Sequence, residues 1–203
     1  MKIRIRRILF PVLFCLAVAC MIELPLAQTT IFGEDVILWD TLFRAVLAVP
    51  VLIHFYREDR VFRGPVCFTW KTALIVITGG AALSTLSGVL CDVLQIPCIS
   101  TADTTLFTGN LWLEALVLLM ASPVLEEYFF RGVFYGRLKE LVPVPAAILI
   151  SACCFGIFHW DLVQGIYSFF MGAILAVLME KTNTVKAPIL FHAAANAAAL
   201  ILR

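Results

Sequence analysis

Residues 116–135 read LVLLMASPVLEEYFFRGVFY, a largely apolar stretch of membrane-spanning length that carries two adjacent glutamates and one arginine. The charged residues are Glu126, Glu127 and Arg131. A charge in the middle of a bilayer costs roughly 2.5 to 3.5 kcal/mol on insertion scales, so such residues usually mark an ion path, a proton relay or a catalytic site. The stretch therefore predicts a membrane helix, and its charged residues predict that the functional site lies on this helix.

The composition of the whole chain indicates an integral membrane protein. Of its 203 residues, 62% are hydrophobic and only 14% are charged, and the mean hydropathy is +1.00. One water-soluble core cannot hide that much apolar surface. The formal net charge is +1, and the basic residues cluster at the edges of apolar runs, so we expect the lipid bilayer and no nucleic acid as a partner.

Seven apolar runs predict an all-α, polytopic membrane helix bundle that forms a single domain over residues 1–203. The runs cover residues 8–28, 36–56, 72–94, 111–138, 144–159, 162–179 and 187–202. Pro123 lies inside the fourth run, where a proline frees a carbonyl and bends the axis, so the bundle has seven spans, or eight if Pro123 separates two. Basic residues at Lys2–Arg7 and after the second and fourth runs place those ends in the cytoplasm. We expect variable amino-terminal spans over residues 8–94 and the functional helices over 111–203.

The cysteines carry no metal or redox motif. The seven cysteines include no CxxC pair, which argues against a zinc ribbon or a dithiol site. Cys91 and Cys98 lie close to the polar connection from Cys98 to Asn110, which by alternation is on the outside. Whether these two form a disulfide stays open.

Three short patterns occur in order in the second half of the chain. They are Glu126-Glu127-x-x-x-Arg131, Phe155-x-x-x-His159 and His192-x-x-x-Asn196. Residues four apart share one helix face, so Glu127 and Arg131 can pair, whereas Glu126 points about 100° away around the helix. We expect one glutamate to be neutralised and the other to stay available.

With these residues the sequence resembles the CPBP intramembrane proteases, a family that includes the CAAX-processing endopeptidases and bacteriocin-processing relatives. The resemblance covers roughly the carboxy-terminal half. It implies a glutamic-type endopeptidase in which Glu126 and His159 activate a water molecule against a peptide carbonyl. His192 and Asn196 are implied to polarise that carbonyl and stabilise its oxyanion, as donors do in a site with little water.

The remaining residues of the three patterns are expected to orient the site. Glu127 and Arg131 form a pair that does not touch the substrate, and Phe155 packs beneath His159. Taken singly, each pattern also fits a neutralised strut or a hydrogen bond between helices. Their joint order favours catalysis.

A metal-dependent mechanism is the open alternative. Glu126, His159 and His192 also make up the ligand set of a hydrolytic zinc site. The chain lacks HExxH and has an asparagine where a further strong ligand could sit, so we expect no cofactor, with zinc as the alternative.

The depths of the three site positions in the bilayer do not agree. Counted from the assumed cytoplasmic helix ends, Glu126 lies about 18 Å deep, His159 about 24 Å and His192 about 9 Å. Either the predicted ends are wrong by several residues, or helix tilt and a break near Pro123 bring the groups level.

The function expected from these patterns is cleavage of a membrane-associated peptide or protein, in a bacterial inner membrane. A lipidated CAAX-like end, a leader peptide and a carboxy-terminal sorting signal are the substrate classes that the resemblance allows. A proton-coupled transporter is an alternative, because buried carboxylates and histidines also relay ions. A non-catalytic scaffold or immunity protein of the same fold is another.

Overall fold

The computed structural model describes residues 2–95 and 109–202, and within them the chain is helical apart from short connections. The helices are α1 (Lys2–Leu26), α2 (Val36–Glu58), α3 (Trp70–Leu94), α4 (residues 111–138), α5 (Val144–Ile157), α6 (Leu162–Thr182) and α7 (Lys186–Leu202). Short 3₁₀ turns, Gly33–Asp35 and Asp59–Phe62, flank α2. The predicted all-helical membrane bundle is confirmed, and most predicted ends lie within about three residues of the observed ones, as is usual for such boundaries. The exception is the start of α1, which the basic residues at Lys2–Arg7 extend to Lys2.

Four helices in the described ranges are long and apolar enough to cross a membrane: Ile3–Leu26, Gly33–Phe62, Trp70–Val93 and Leu162–Thr182. Helices α5 and α7 are apolar but shorter, with 14 and 17 residues. Most of the predicted connection from Cys98 to Asn110 lies outside the described residues, and so does Cys98 of the Cys91–Cys98 pair.

Helix α4 is continuous but irregular. It consists of α-helical Leu111–Leu116, π-helical Val117–Ala121, α-helical Ser122–Glu127, π-helical Tyr128–Tyr135 and α-helical Gly136–Leu138. Pro123 therefore does not separate two helices. Wide π turns are rare and often occur at functional sites, and here they lie on both sides of the two glutamates.

The helices begin and end at residues suited to those positions. Side chains of Thr69, Asn110 and Asp161 accept hydrogen bonds from the first turns of α3, α4 and α6, which satisfies donors that a helix start leaves unpaired. Gln95 and Asn183 end α3 and α6 in the left-handed conformation.

Small residues let the helices that carry the site approach closely. A Cβ atom at Gly80 of α3 would collide with the backbone carbonyl of Phe191 in α7. A Cβ at Gly156 of α5 would lie 2.7 Å from the carbonyl oxygen of Gly165 in α6. An apolar core of Phe130, Phe155, Met171, Leu175 and Phe191 lies between α4, α5, α6 and α7.

The helix ends predicted to be cytoplasmic meet at one end of the bundle. Asp59, after α2, accepts hydrogen bonds from Arg7 at 2.5 Å and from Arg137 at 2.6 Å. Arg7 also donates to Glu140 at 2.9 Å. We call Arg7, Asp59, Arg137 and Glu140 the end cluster. Its contacts confirm that the start of α1 and the ends of α2 and α4 lie on the same side.

Candidate active site

The Glu127–Arg131 ion pair lies in the middle of the bundle. Arg131 Nη1 donates to Glu127 Oε1 at 2.9 Å, and both side chains are 0% exposed. The second Nη atom of Arg131 donates to the carbonyl of Gly172 at 3.2 Å, and the guanidinium lies 4.1 Å from the centre of the Phe155 ring. The predicted pairing is confirmed. The contacts of Arg131 with Phe155 and Gly172 hold α4 against α5 and α6.

The same carboxylate holds His192 of α7. The distance between His192 Nδ1 and Glu127 Oε1 is 3.0 Å. Glu127 Oε1 already accepts a hydrogen bond from Arg131, so it is the acceptor here too, and the Nδ1–H of His192 is the donor. The other ring nitrogen, Nε2, is thereby turned towards Glu126, with 3.9 Å between Nε2 and Glu126 Oε2. This arrangement, in which a carboxylate fixes the tautomer and direction of an imidazole, recurs in catalytic and metal sites.

Glu126 is held by one oxygen only. Ser122, one turn earlier in α4, donates its hydroxyl to Glu126 Oε1 at 2.5 Å. The other oxygen, Oε2, is buried and has no hydrogen-bond partner among the described residues. Glu127 Oε2 and Arg131 Nε are also buried and have no hydrogen-bond partner within the described ranges. Three such atoms in one place indicate a site that binds water or a ligand, because a buried polar atom without a partner costs about 1 to 3 kcal/mol.

The space between Glu126 and His192 suits one water molecule. A separation of 3.9 Å between Oε2 and Nε2 is too long for a direct hydrogen bond. A water about 2.8 Å from each atom would make two hydrogen bonds that meet at an angle of about 90° at the water oxygen, an angle within the range that water accepts. The two side chains can therefore hold one water between them.

Pro123 explains the wide turn before the glutamates. The N–H of Ser122 donates to the carbonyl of Val117, five residues earlier. Pro123 has no N–H, so the carbonyl of Leu118 receives neither of the backbone bonds that a helix would supply. Asn196 of α7 donates its side-chain amide to that carbonyl at 2.8 Å. The carbonyl freed by the proline, as predicted, is the one that Asn196 contacts.

The Phe155 ring lies next to both His159 and His192. The centre of the Phe155 ring is 4.9 Å from that of His159 and 6.0 Å from that of His192. His159 follows the end of α5, and its Nδ1 is 2.7 Å from the carbonyl oxygen of Phe155. The described residues include no ion pair of His159 with a carboxylate. The structure therefore brings Glu126, Glu127, Arg131 and His192 together, and it joins His159 to them through Phe155.

The mismatch in depth between Glu126 and His192 is explained by the stagger of α7. Val185, just before α7, packs on Gly132, where an added Cβ would lie 3.2 Å from Val185 Cγ1. Gly132 lies six residues before Leu138, so α7 begins about 9 Å deeper in the bundle than α4 ends. Adding this to the depth of His192 within α7 gives about 18 Å, the depth of Glu126. The predicted ends of α4 and α7 were right to within one residue and α4 is not broken at Pro123, so the mismatch came from counting both helices from a common level.

An apolar cavity gives access to Glu126. It has a volume of about 450 Å³ and lies between α1, α2, α4 and α5. Leu16, Ala48, Phe130 and Phe158 contribute to its walls, and Glu126 and Arg44 supply its charged groups. Arg44 is paired with Asp40 within α2. The size is that of a small-ligand site, which is typically apolar with a few polar groups.

The side chains do not form a ready metal site. In residues 2–95 and 109–202, no three histidine, cysteine, aspartate or glutamate side chains are grouped so that they could hold a metal ion. The alternative zinc set of Glu126, His159 and His192 is therefore not assembled in this conformation. Whether activity needs a metal stays a prediction for experiment.

Sequence reasoning missed two contributors to this site. Ser122 was not singled out, although it lies four residues before Glu126, the spacing at which helix side chains meet. Gly172 was not singled out either, and it contributes only a backbone carbonyl. A carbonyl leaves no trace in the residue type, so only the fold could identify it.

Comparisons with known proteins concern this same part of the chain. Residues 108–198 match the family model described as "Type II CAAX prenyl endopeptidase Rce1-like". The chain is 34% identical over 91 residues to a Bacillus subtilis (strain 168) protein named "Putative membrane peptidase YdiL". That similarity covers 45% of this chain and 37% of the relative, so the chain matches well under half of the relative's length. No solved structure matches. The resemblance drawn from the three patterns is confirmed: residues 108–198 are similar to the CPBP family of membrane proteases.

Proposed function

We propose that this chain is an intramembrane endopeptidase that uses Glu126 to activate water. The observation that carries the proposal is the buried Oε2 of Glu126, which has no hydrogen-bond partner among the described residues and faces His192 Nε2 at 3.9 Å, on a residue that lines an apolar cavity. The similarity to the CPBP family and the name of the Bacillus relative support a peptidase.

The reaction is a hydrolysis in which each group moves or holds a defined proton. Glu126 Oε2 takes a proton from the water between it and His192, and the water oxygen attacks the peptide carbonyl. His192, held at Nδ1 by Glu127, acts in its doubly protonated form: its Nε2–H donates a hydrogen bond to the developing oxyanion and keeps its proton throughout. Glu126 then passes its proton to the leaving amine nitrogen, so the carboxylate is regenerated as the peptide bond breaks.

Three further residues complete the proposed site. His159 is bound to the Phe155 carbonyl at Nδ1, so its Nε2 is the nitrogen that can contact the water or the substrate once the cavity is filled. The Glu127–Arg131 pair acts without touching substrate, because Glu127 sets the direction of His192. The mechanism requires no cofactor, and zinc bound by Glu126, His159 and His192 is the alternative.

The substrate we propose is a membrane-associated peptide or protein. A lipidated CAAX-like end, a leader peptide and a carboxy-terminal sorting signal each supply an apolar segment beside a peptide bond. The largely apolar cavity next to Glu126 fits such a segment. We place the enzyme in a bacterial cytoplasmic membrane, as the origin of the relative suggests.

The test is a comparison of membrane proteomes. Cells that express the wild-type chain and cells that express Glu126→Gln are compared for new peptide ends by mass spectrometry. Glu34→Gln serves as the matched control, since Glu34 is exposed in the turn before α2. We expect at least one membrane protein to be cut by the wild type and the control and to stay uncut with Glu126→Gln. Identical ends in all three strains would exclude the proposed activity.

A proton-coupled transporter is the second candidate, because Ser122, Glu126, His192 and Glu127 form a nearly continuous polar chain. Vesicles that contain the purified chain separate the two functions. A pH-driven flux that persists in a variant without peptidase activity would favour transport, and cleavage without flux favours the peptidase.

A further inference from the structure

The π turn Val117–Ala121, which comes before the glutamates in α4, is held by a side chain of another helix, α7. Ser122 donates its N–H to Val117, and Pro123 has no N–H to donate, so the backbone of α4 leaves the Leu118 carbonyl without a helical partner. Leu118 is buried, with 8% of its surface exposed. The amide of Asn196 is the donor that the structure provides for this carbonyl, at 2.8 Å.

The same turn determines where Glu126 points. Ser122 belongs to it and holds Glu126 Oε1 through its hydroxyl at 2.5 Å. With Oε1 held, Oε2 is the oxygen that faces His192 Nε2. A shift of the turn would move the Ser122 hydroxyl and, with it, the carboxylate proposed to activate water.

Asn196 and His192 lie one turn apart on the same face of α7. Through His192 that face contacts Glu127, and through Asn196 it contacts the Leu118 carbonyl. Helix α7 is therefore attached to α4 on both sides of Glu126. Two attachments of this kind fix the spacing and the rotation of the helices, which one bond cannot do.

We propose that Asn196 is a positioning residue, which holds the carbonyl freed by Pro123 and so keeps Ser122 and Glu126 directed at the water. This inference rests on the proposed endopeptidase function. It differs from the role implied by family resemblance, in which the amide donates to the substrate oxyanion. One amide hydrogen of Asn196 is already used by Leu118, and its effect on the reaction passes through Ser122.

A double-mutant cycle with Pro123 tests the proposal. The Pro123→Ala chain regains an N–H at that position, which can donate to the Leu118 carbonyl in place of Asn196. In the wild-type background, Asn196→Ala should lower kcat about 10-fold or more, with KM nearly unchanged. In the Pro123→Ala background the same change should lower kcat less than about 3-fold. An equal loss in both backgrounds would overturn the proposal, since a donor to the substrate does not depend on residue 123.

A second cycle does not need the proline to be replaced. If Asn196 acts through Ser122, then Ser122→Ala combined with Asn196→Ala should be little worse than the more severe single change. Losses that multiply would mean that the two side chains act independently, and would overturn the proposal. Asn183→Ala is the matched control, because Asn183 donates to the Pro65 carbonyl at the far end of α6.

The probe is a lipid-anchored, quenched fluorescent peptide selected from a library for cleavage by the wild-type chain in lipid nanodiscs. Intact folding of each variant is checked by its thermal unfolding. A wild-type chain that cuts no peptide in the library would overturn the endopeptidase function and this inference together. An active wild type with multiplying losses would overturn only the positioning role.

Discussion

The end cluster and the site in the middle of the bundle treat their charges in opposite ways. In the end cluster, both oxygens of Asp59 accept hydrogen bonds, one from Arg7 and one from Arg137. The group in the middle consists of Glu126, Glu127, Arg131 and His192, and we call it the central cluster. Glu126 Oε2, Glu127 Oε2 and Arg131 Nε have no hydrogen-bond partner there within the described part of the chain.

This difference distinguishes charged residues that stabilise the fold from charged residues that are available for a reaction. A carboxylate whose two oxygens each accept a hydrogen bond from a guanidinium group stabilises helix ends and has no oxygen without a protein partner. A buried carboxylate with one vacant oxygen is costly to keep, and such groups are typical of catalytic sites. The comparison predicts that changes in the end cluster affect stability and that changes in the central cluster affect turnover.

The largest effect is expected for Glu126→Gln. The amide keeps the shape of the side chain but cannot take a proton from water, so kcat should fall about 10³-fold or more. The cleavage rate in nanodiscs measures this, with Glu34→Gln as the control. A variant that keeps more than a tenth of the wild-type rate would contradict the assignment.

Asp59→Asn should break the end cluster without affecting the chemistry. Two guanidinium groups lose their ionised partner, so the free energy of unfolding should fall by about 3 kcal/mol. The kcat per folded molecule should stay within about 2-fold of wild type, as expected for a residue distant from the reaction. Chemical unfolding and active-site titration give the two numbers. A loss of turnover without a loss of stability would remove the distinction between the clusters.

His192→Gln should lower kcat about 100-fold, because the oxyanion loses its proposed donor and the water loses one of its two contacts. The matched control is His54→Gln, since His54 is exposed and lies 3.3 Å from Glu58 of the same helix. Equal rates for the two variants would show that His192 serves packing alone.

Ser122→Ala should have a smaller effect on turnover. A hydrogen bond to a charged group contributes about 1.5 to 3 kcal/mol, so freeing Glu126 should lower kcat about 10-fold or somewhat more. Ser122→Thr retains the hydroxyl and should recover most of the rate. If the threonine variant is as slow as the alanine variant, the hydroxyl is not what holds Glu126.

Removal of metal ions should have the smallest effect. Because the described side chains form no three-ligand group, we expect the rate to stay within about 2-fold after dialysis against a strong chelator, whereas a zinc hydrolase loses its activated water. Metal analysis of the active protein accompanies the assay. Loss of activity that returns on addition of zinc would establish the metal-dependent alternative.

The fold could be predicted well because its signals are local. The run from 111 to 138 is a helix with the predicted ends, and the predicted start of α7 differs from the observed Lys186 by one residue. Apolar length and polar flanks determine such elements. The pairing of Glu127 with Arg131 was also predictable, since a spacing of four residues is enough to bring them together.

The assembly of the site could not be predicted, because it depends on how helices are offset from one another. The bond between His192 and Glu127 requires α7 to begin deep in the bundle, at the level of Gly132. The contact of Asn196 with Leu118 requires a π turn. The residue types do not show that the backbone bonds in this turn span five residues and not four. The contact of Ser122 with Glu126 could have been predicted from their spacing of four residues, but the link from Ser122 to Asn196 becomes visible only once that turn is known.

The most direct test of the central claim is cleavage in heavy-oxygen-labelled water, followed by mass spectrometry of the product ends. Wild-type chain in nanodiscs should release a peptide whose new carboxyl group carries the heavy oxygen, and Glu126→Gln should release none above background. Equal labelled product from Glu126→Gln, or no labelled product from the wild type, would contradict water activation by Glu126.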